Sequence, residues 1–196
     1  MLSRYERQRA RVEFKQDFIK AYKNNAVCNK CGKSFISDCL DFHHKDPSQK
    51  ETDINSLIHK QYSIDRLKTE IKKCELICGN CHTSLHRKDQ NHYNVSDEEM
   101  KSLIKKSYPN STPRQRIDRY KRFKSRRYVY RYKLKHKCRC GEDNPNCLAF
   151  HHIDVENKIA EVSTLAKLGH ITKLKAEIEK CEILCINCHR LEHKDD

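Results

Sequence analysis

The sequence has no tryptophan, and its 196 residues include only four glycines and four prolines. Such scarcity argues against a disordered, linker-like chain. Long hydrophobic runs are missing as well. The longest uninterrupted apolar stretches, 147–150 and 183–186, are four residues each. A helix across a bilayer needs about 20 mostly apolar residues, so no membrane contact is expected. The opening MLSRYERQRARVEF has no apolar core of a secretory signal, which points to an intracellular protein, cytoplasmic or nuclear. Apolar residues make up 36% of the chain, short of the ~45–50% of an ordinary globular domain. Acidic residues are also outnumbered: 27 Asp and Glu stand against 41 Lys and Arg, a formal charge of +14. A small core with a large positive excess implies a polyanionic partner, DNA first and RNA second.

What the chain does have is cysteine and histidine, twelve of each. Thiols in an intracellular compartment stay reduced, so twelve of them argue for metal before disulfides. Their placement shows an internal duplication. Residues 39–44 read CLDFHH and 147–152 read CLAFHH; residues 73–86 read KCELICGNCHTSLH and 180–193 read KCEILCINCHRLEH. The offset is 108 for the first block and 107 for the second, and six cysteines fall in each repeat. A first unit over 1–90, a linker with a short helix over 91–111 and a second unit over 112–196 follow from this register. The linker helix opens on the capping box Ser96-Asp-Glu-Glu99 and ends before the Tyr108-Pro break.

Cys28-x2-Cys31 and Cys78-x2-Cys81 have the spacing of a closed four-thiolate zinc site, which replaces the core that the composition denies. The second unit offers Cys138, Cys140, Cys185 and Cys188, but Cys138-x-Cys140 has one spacer residue where a knuckle usually has two. Cys147 or His136 is the alternative ligand to Cys138. Cys39, Cys74, Cys147 and Cys181 read best as buried thiols acting as small hydrophobes. About one structural Zn2+ per unit is expected.

The histidines ask for more than structure. His82 and His86 lie four apart on an expected helix, so both imidazoles face one ion. His43-His44 closes a strand-like run in which neighbours face opposite ways. One of the two can join the metal while the other stays beside it. Three histidines leave coordination positions open, as a catalytic site requires, and a spare imidazole is a general base near neutral pH. A closed site of three histidines and one spare cysteine is the structural alternative.

This arrangement, C-x2-C-G … F-H-H … K-C-x-L-x-C-x-N-C-H-x3-H, resembles the HNH endonucleases, the ββα-metal nucleases found in phages, other viruses and mobile elements. The resemblance implies a metal-dependent DNA endonuclease built from two tandem small α+β units, each with a four-cysteine-type zinc site and a preceding basic helix. It implies His43 as a metal ligand with His82 and His86, and His44 as the base that activates water. In the second unit His151, His189 and His193 are the ligands and His152 the base. The catalytic ion is Mg2+, Mn2+ or another divalent metal. Two units on one chain can nick both strands as a monomer. The other readings are a non-catalytic zinc-dependent nucleic-acid binder, or one active unit beside a degenerate binding unit.

Nine residues ahead of His82 and His189 stand Lys73 and Lys180, where the family typically has an asparagine. A lysine there is expected to contact a phosphate, with Asn80 and Asn187 as the alternative polar contacts or as helix caps. Asp46 and Asp154, after each histidine pair, are expected to hold the loop. The remaining signal is charge. Residues 1–24 carry a net +4 and residues 112–137 a net +11, so the rest of the chain is nearly neutral. Arg114, Arg116, Arg119, Arg122, Arg126 and Arg127 are the expected DNA contacts. Phe14, Phe18 and Tyr22 should dock the first basic helix, and the aromatic alternation over 128–134 suggests that the second gives way to a strand.

Overall fold

The computed structural model describes residues 3–87 and 91–193. Each repeat runs basic helix, cysteine turn, strand, two helices, strand, helix. In the first these are α1 (Arg4–Lys23), β1 (Leu40–His44), α2 (Ile54–His59), α3 (Ile64–Lys72), β2 (Cys74–Cys78) and α4 (Gly79–His86). The linker carries α5 (Asp97–Ser107). The second has α6 (Pro113–Lys133), β3 (Leu148–His152), α7 (Val162–Leu168), α8 (Ile171–Ile178), β4 (Cys181–Cys185) and α9 (Ile186–Glu192). By internal contacts the chain divides into residues 1–85 with 190–196, and residues 86–189. No described helix is long and apolar enough to cross a membrane.

Helix starts follow local chemistry. Ser3, Ser96 and Thr112 each close a capping box with Glu6, Glu99 and Gln115, and Pro113 takes the first helical position of α6. α6 stays helical to Lys133, so the strand expected over 128–134 does not form. Tyr128 and Tyr132, with Val129 beside them, pack against the local core cluster formed by α7 and α8. In α1 the docking face is also shifted. Phe18 packs on the core as expected, but Phe14 and Tyr22 are 61% and 50% exposed, and the buried residues are Lys15 and Ile19. The helix expected to carry His82 and His86 is α4, which begins at Gly79 and includes both.

The two small sheets are each a single antiparallel pair, β1 with β2 and β3 with β4, in the same register. Leu40 faces Cys78 and His44 faces Cys74; Leu148 faces Cys185 and His152 faces Cys181. Two helices and a loop lie between the paired strands, so neither pair is a hairpin. A core forms where those helices meet the sheet. In the first repeat Ile19, Leu57, Ile58, Leu67 and Ile71 are buried together; in the second, Val162, Leu165, Ala166, Leu174 and Ile178. A separate cluster gathers the sheet's far end around cysteines: Cys28, Leu40, Ile77 and Cys78, and likewise Cys138, Leu148, Leu184 and Cys185.

The repeats end their first short helix differently. Lys15 is buried and its Nζ donates to the carbonyls of Leu57, Ile58 and Lys60 at 2.7, 3.3 and 3.1 Å, capping α2 from α1. Burial in that position lowers its pKa. In the second repeat α7 ends on Gly169 with φ +81°, where the N–H groups of Gly169 and His170 both reach Leu165 O. A Cβ on Gly169 would lie 3.0 Å from the Arg122 backbone nitrogen, so the α6 backbone would have to give by a few tenths of an ångström to admit one. Gly169→Ala should therefore destabilise the zinc-loaded protein by about 1–3 kcal/mol through left-handed strain alone, with the α6 contact adding to it. A denaturant midpoint unchanged from wild type would contradict that packing.

Candidate metal centres

The first cysteine turn is built by its own backbone. Cys28 N–H donates to Lys33 O at 2.9 Å, and Gly32 N–H to Cys28 O at 2.9 Å, with Gly32 at φ +70°. Asn29 ties this turn to β2, donating from its N–H to Leu76 O and accepting Leu76 N–H at its side-chain oxygen. The second turn closes in the same manner one residue sooner. Cys138 N–H reaches Glu142 O and Gly141 N–H reaches Cys138 O, both at 2.8 Å, with Gly141 at φ +94°. The single spacer in Cys138-x-Cys140 thus shortens the loop without spoiling convergence.

In each repeat four sulfurs lie within 4.8 Å of one another: Cys28, Cys31, Cys78 and Cys81, and Cys138, Cys140, Cys185 and Cys188. Cys147 is buried outside the second group, so Cys138 keeps its place. Sulfurs at about 2.3 Å from a tetrahedral ion stand about 3.8 Å apart; Cys140 Sγ and Cys185 Sγ are 3.7 Å apart. Each group can hold a zinc ion. Backbone N–H groups already point at the sulfurs, Cys78 N to Cys28 Sγ at 3.2 Å and Cys188 N to Cys185 Sγ at 3.4 Å. Burial raises the Cys28 pKa, but the N–H groups of Cys31, Cys78 and Lys30 outweigh it and bring the thiol down to about 7. Cys138 is likewise lowered, burial being overcome by N–H donors from Cys140 and Cys185. Each group therefore holds one thiol readied for the thiolate form that metal requires.

The histidines converge separately. His43, His82 and His86 bring ring nitrogens within 4.8 Å of one another, as do His151, His189 and His193. The rings of His43 and His82 meet edge to face at 5.4 Å, those of His151 and His189 at 5.2 Å. Strand β1 supplies one histidine and α4 two, one turn apart, so three imidazoles approach one point and no fourth protein ligand joins them among the described residues. Asp41, two residues before His43 on the same strand, places Oδ2 3.0 Å from His82 Nδ1. Arg190 donates to both Asp41 oxygens at 3.1 and 3.0 Å. Burial raises the Asp41 pKa, and Arg190 and His82 together more than reverse this. A carboxylate behind a ligating histidine sets ring orientation and leaves Nε2 for an ion. The second repeat has Ala149 in the place of Asp41.

His44 and His152 stand outside these groups. Each turns Nε2 to a buried glutamate, at 2.9 Å from Glu70 Oε1 and 2.9 Å from Glu177 Oε1. These glutamates are 2% and 1% exposed. The expected phosphate contacts, Lys73 and Lys180, belong to the same networks. Lys73 Nζ donates to Glu70 Oε2 at 2.9 Å and to Gln49 O at 3.2 Å; Lys180 Nζ donates to Glu177 Oε2 at 3.1 Å and to Asn157 O at 2.8 Å. Both ammonium groups thus hold the loop after the histidine pair. Asp46 and Asp154 do so as well, each accepting the N–H two residues on at 2.9 Å. Burial raises the pKa of Glu70, but Lys73, His44 and the N–H groups of Glu51 and Thr52 carry it down to about 2. Glu177 reaches about 2 in the same way: burial is outweighed by the Ile159 N–H, Lys180 and His152. Residue-level reading of the sequence missed both glutamates. Their signal was the repeated E-I-x-K-C, again at offset 107.

Of the six arginines expected on DNA, three are engaged within the protein. Arg116 donates to Ser111 Oγ and Pro109 O, Arg119 stacks 3.7 Å from the Tyr108 ring, and Arg127 bonds Val95 O and Asp97. Arg114, Arg122 and Arg126 are exposed.

Compared with protein-family models, with curated proteins and with solved structures, the chain matches none of them. The fold and its sites define a small α+β chain with two four-cysteine groups, each beside a three-histidine group, able to bind metal. Purified protein should carry about two zinc ions per chain, with Cys81→Ser and Cys188→Ser each losing one and Cys39→Ser and Cys147→Ser losing none. Elemental analysis that finds no zinc in wild type would break the four-thiolate assignment.

Proposed function

We propose that the chain is a metal-dependent DNA endonuclease of the HNH, ββα-metal kind, with two tandem catalytic units. The observation that carries this reading is the division of labour within each adjacent histidine pair. His43 and His151 join a three-histidine group, while His44 and His152 stand outside it with Nε2 on a carboxylate. A closed structural site has no use for the second imidazole. Strand, strand and helix carry the set in both repeats, which suits a ββα-metal unit.

His43, His82 and His86 would hold the divalent ion, as would His151, His189 and His193. When bound, such an ion polarises the scissile phosphate and stabilises the leaving 3′-oxygen. His44 or His152 takes a proton from water at Nδ1. The water oxygen bonds to phosphorus and the bond to the 3′-oxygen breaks. That oxygen is protonated from solvent, leaving 5′-phosphate and 3′-hydroxyl ends. The four-cysteine groups hold the two ends of each unit together and take no part in the chemistry. Arg114, Arg122 and Arg126 supply backbone attraction without sequence readout.

Wild-type protein with Mg2+ or Mn2+ should nick supercoiled plasmid, and His44→Ala with His152→Ala together should abolish nicking. Full activity in the double variant would sink the catalytic reading in favour of a binding-only zinc module. Loss in one single variant alone would leave one unit cutting and the other binding. Replacing Arg114, Arg122 and Arg126 together by alanine should flatten the dependence of log affinity on log salt by roughly 0.9 per lost phosphate contact and leave the melting temperature unchanged. A slope identical to wild type would remove those side chains from the interface.

A further inference from the structure

We propose that Glu70 and Glu177 are positioning residues for the two bases, so that each base works as a glutamate–histidine pair. The proposal rests on the endonuclease reading for its catalytic consequence, but its structural half stands without it. A buried carboxylate is costly unless its lone pairs are filled. Glu70 fills them in a fixed pattern. Oε1 accepts Glu51 N–H at 2.9 Å and Thr52 N–H at 3.4 Å and faces His44 Nε2 at 2.9 Å, while Oε2 faces Lys73 Nζ at 2.9 Å. Glu177 repeats this atom for atom. Oε1 accepts Ile159 N–H at 2.9 Å and Ala160 N–H at 3.4 Å and faces His152 Nε2 at 2.9 Å, and Oε2 faces Lys180 Nζ at 3.1 Å.

Holding a loop needs only an acceptor, which a neutral glutamine would supply. A carboxylate adds two things. It accepts only, so Nε2 of the histidine must carry the proton and Nδ1 is left with its lone pair. It also stabilises the imidazolium that forms once Nδ1 has taken a proton. Among the described residues no hydrogen bond is made to Nδ1 of either His44 or His152, so the fold does not spend that lone pair on a protein donor. The glutamate comes from α3 or α8 and the histidine from β1 or β3, elements joined through the helical core. Ring orientation is thereby set by the packed body of the unit and not by the exposed loop.

Two readouts on zinc-loaded, full-length protein test this. Proton spectra of 15N-histidine-labelled chain should show a downfield, slowly exchanging Nε2–H resonance for His44 and another for His152, each assigned by its loss in the alanine variant. Glu70→Gln should shift the His44 signal upfield and leave the His152 signal in place, and Glu177→Gln should do the reverse. In the His152→Ala background, where only the first base acts, Glu70→Gln should lower kcat for plasmid nicking by on the order of 10²- to 10⁴-fold. KM and zinc content should stay within about twofold, and Glu70→Asp should recover part of the rate. Retained kcat in Glu70→Gln beside a dead His44→Ala would overturn the positioning role while sparing the endonuclease. Absence of the downfield resonance in wild type would overturn it without any cleavage assay, and without a folded Glu70 variant. Should no variant or wild type cut DNA, the endonuclease reading fails and the resonances still decide the pairing.

Discussion

Convergence of four cysteine sulfurs at the far end of each sheet is the constraint on which the rest depends. Each sheet has only two strands, and an isolated two-stranded pair is marginal in water. The fully buried apolar residues at that end are Leu40 and Ile77, or Leu148 and Leu184, with the cysteines themselves. An ion held by all four thiolates of a repeat would tie the cysteine turn to the start of the helix that carries two of the histidines. β1 and β2 lie in one register, and His43 near the end of β1 meets His82 and His86 of α4. Loss of the thiolate cluster would therefore free the helix that supplies two of three histidines.

Charged networks orient the histidines that each sheet and its helix carry. The buried glutamate of α3 or α8 binds the histidine, a lysine of its own element end and two N–H groups of the loop between strand and helix. Asp41 with Arg190 braces one ligand of the first histidine group, where the second repeat has alanine. Duplication has thus kept the cysteine and glutamate frameworks and let their surroundings drift. α2 is capped by a buried lysine and α7 by a left-handed glycine, and the cysteine turns differ by one residue yet close on equivalent hydrogen bonds. What is retained in both copies is what gathers sulfurs and orients imidazoles.

Much of the site was legible because metal ligation imposes spacing. Cys-x2-Cys and His-x3-His place donors on one turn or one helical face whatever surrounds them, and an internal copy at a constant offset separates signal from chance. Capping boxes at Ser96 and the break at Tyr108-Pro were legible for the same local reason. The errors came where local pattern met tertiary packing. Tyr128, Tyr130 and Tyr132 alternate like a strand, but the buried face of α7 and α8 offers Tyr128 and Tyr132 a helical stripe. Phe14 and Tyr22 look like a docking face, but Lys15 takes the buried position because three carbonyls at the end of α2 require a donor.

From the sequence alone came the duplication, the four-cysteine groups, the histidine pairs and the concentration of charge on two leaders. These depend on residue type and separation along the chain. Tertiary structure decided which histidine of each pair meets the other two, that Glu70 and Glu177 stand behind the remaining one, and that Arg116, Arg119 and Arg127 are spent on α5, the residues around it and the turn before α6. Most of those outcomes depend on contacts between residues distant in sequence, such as His44 with Glu70, His43 with His82 and Arg127 with Asp97. No local periodicity encodes such contacts, because burial and the need to satisfy each buried charge select them only once the helices have packed.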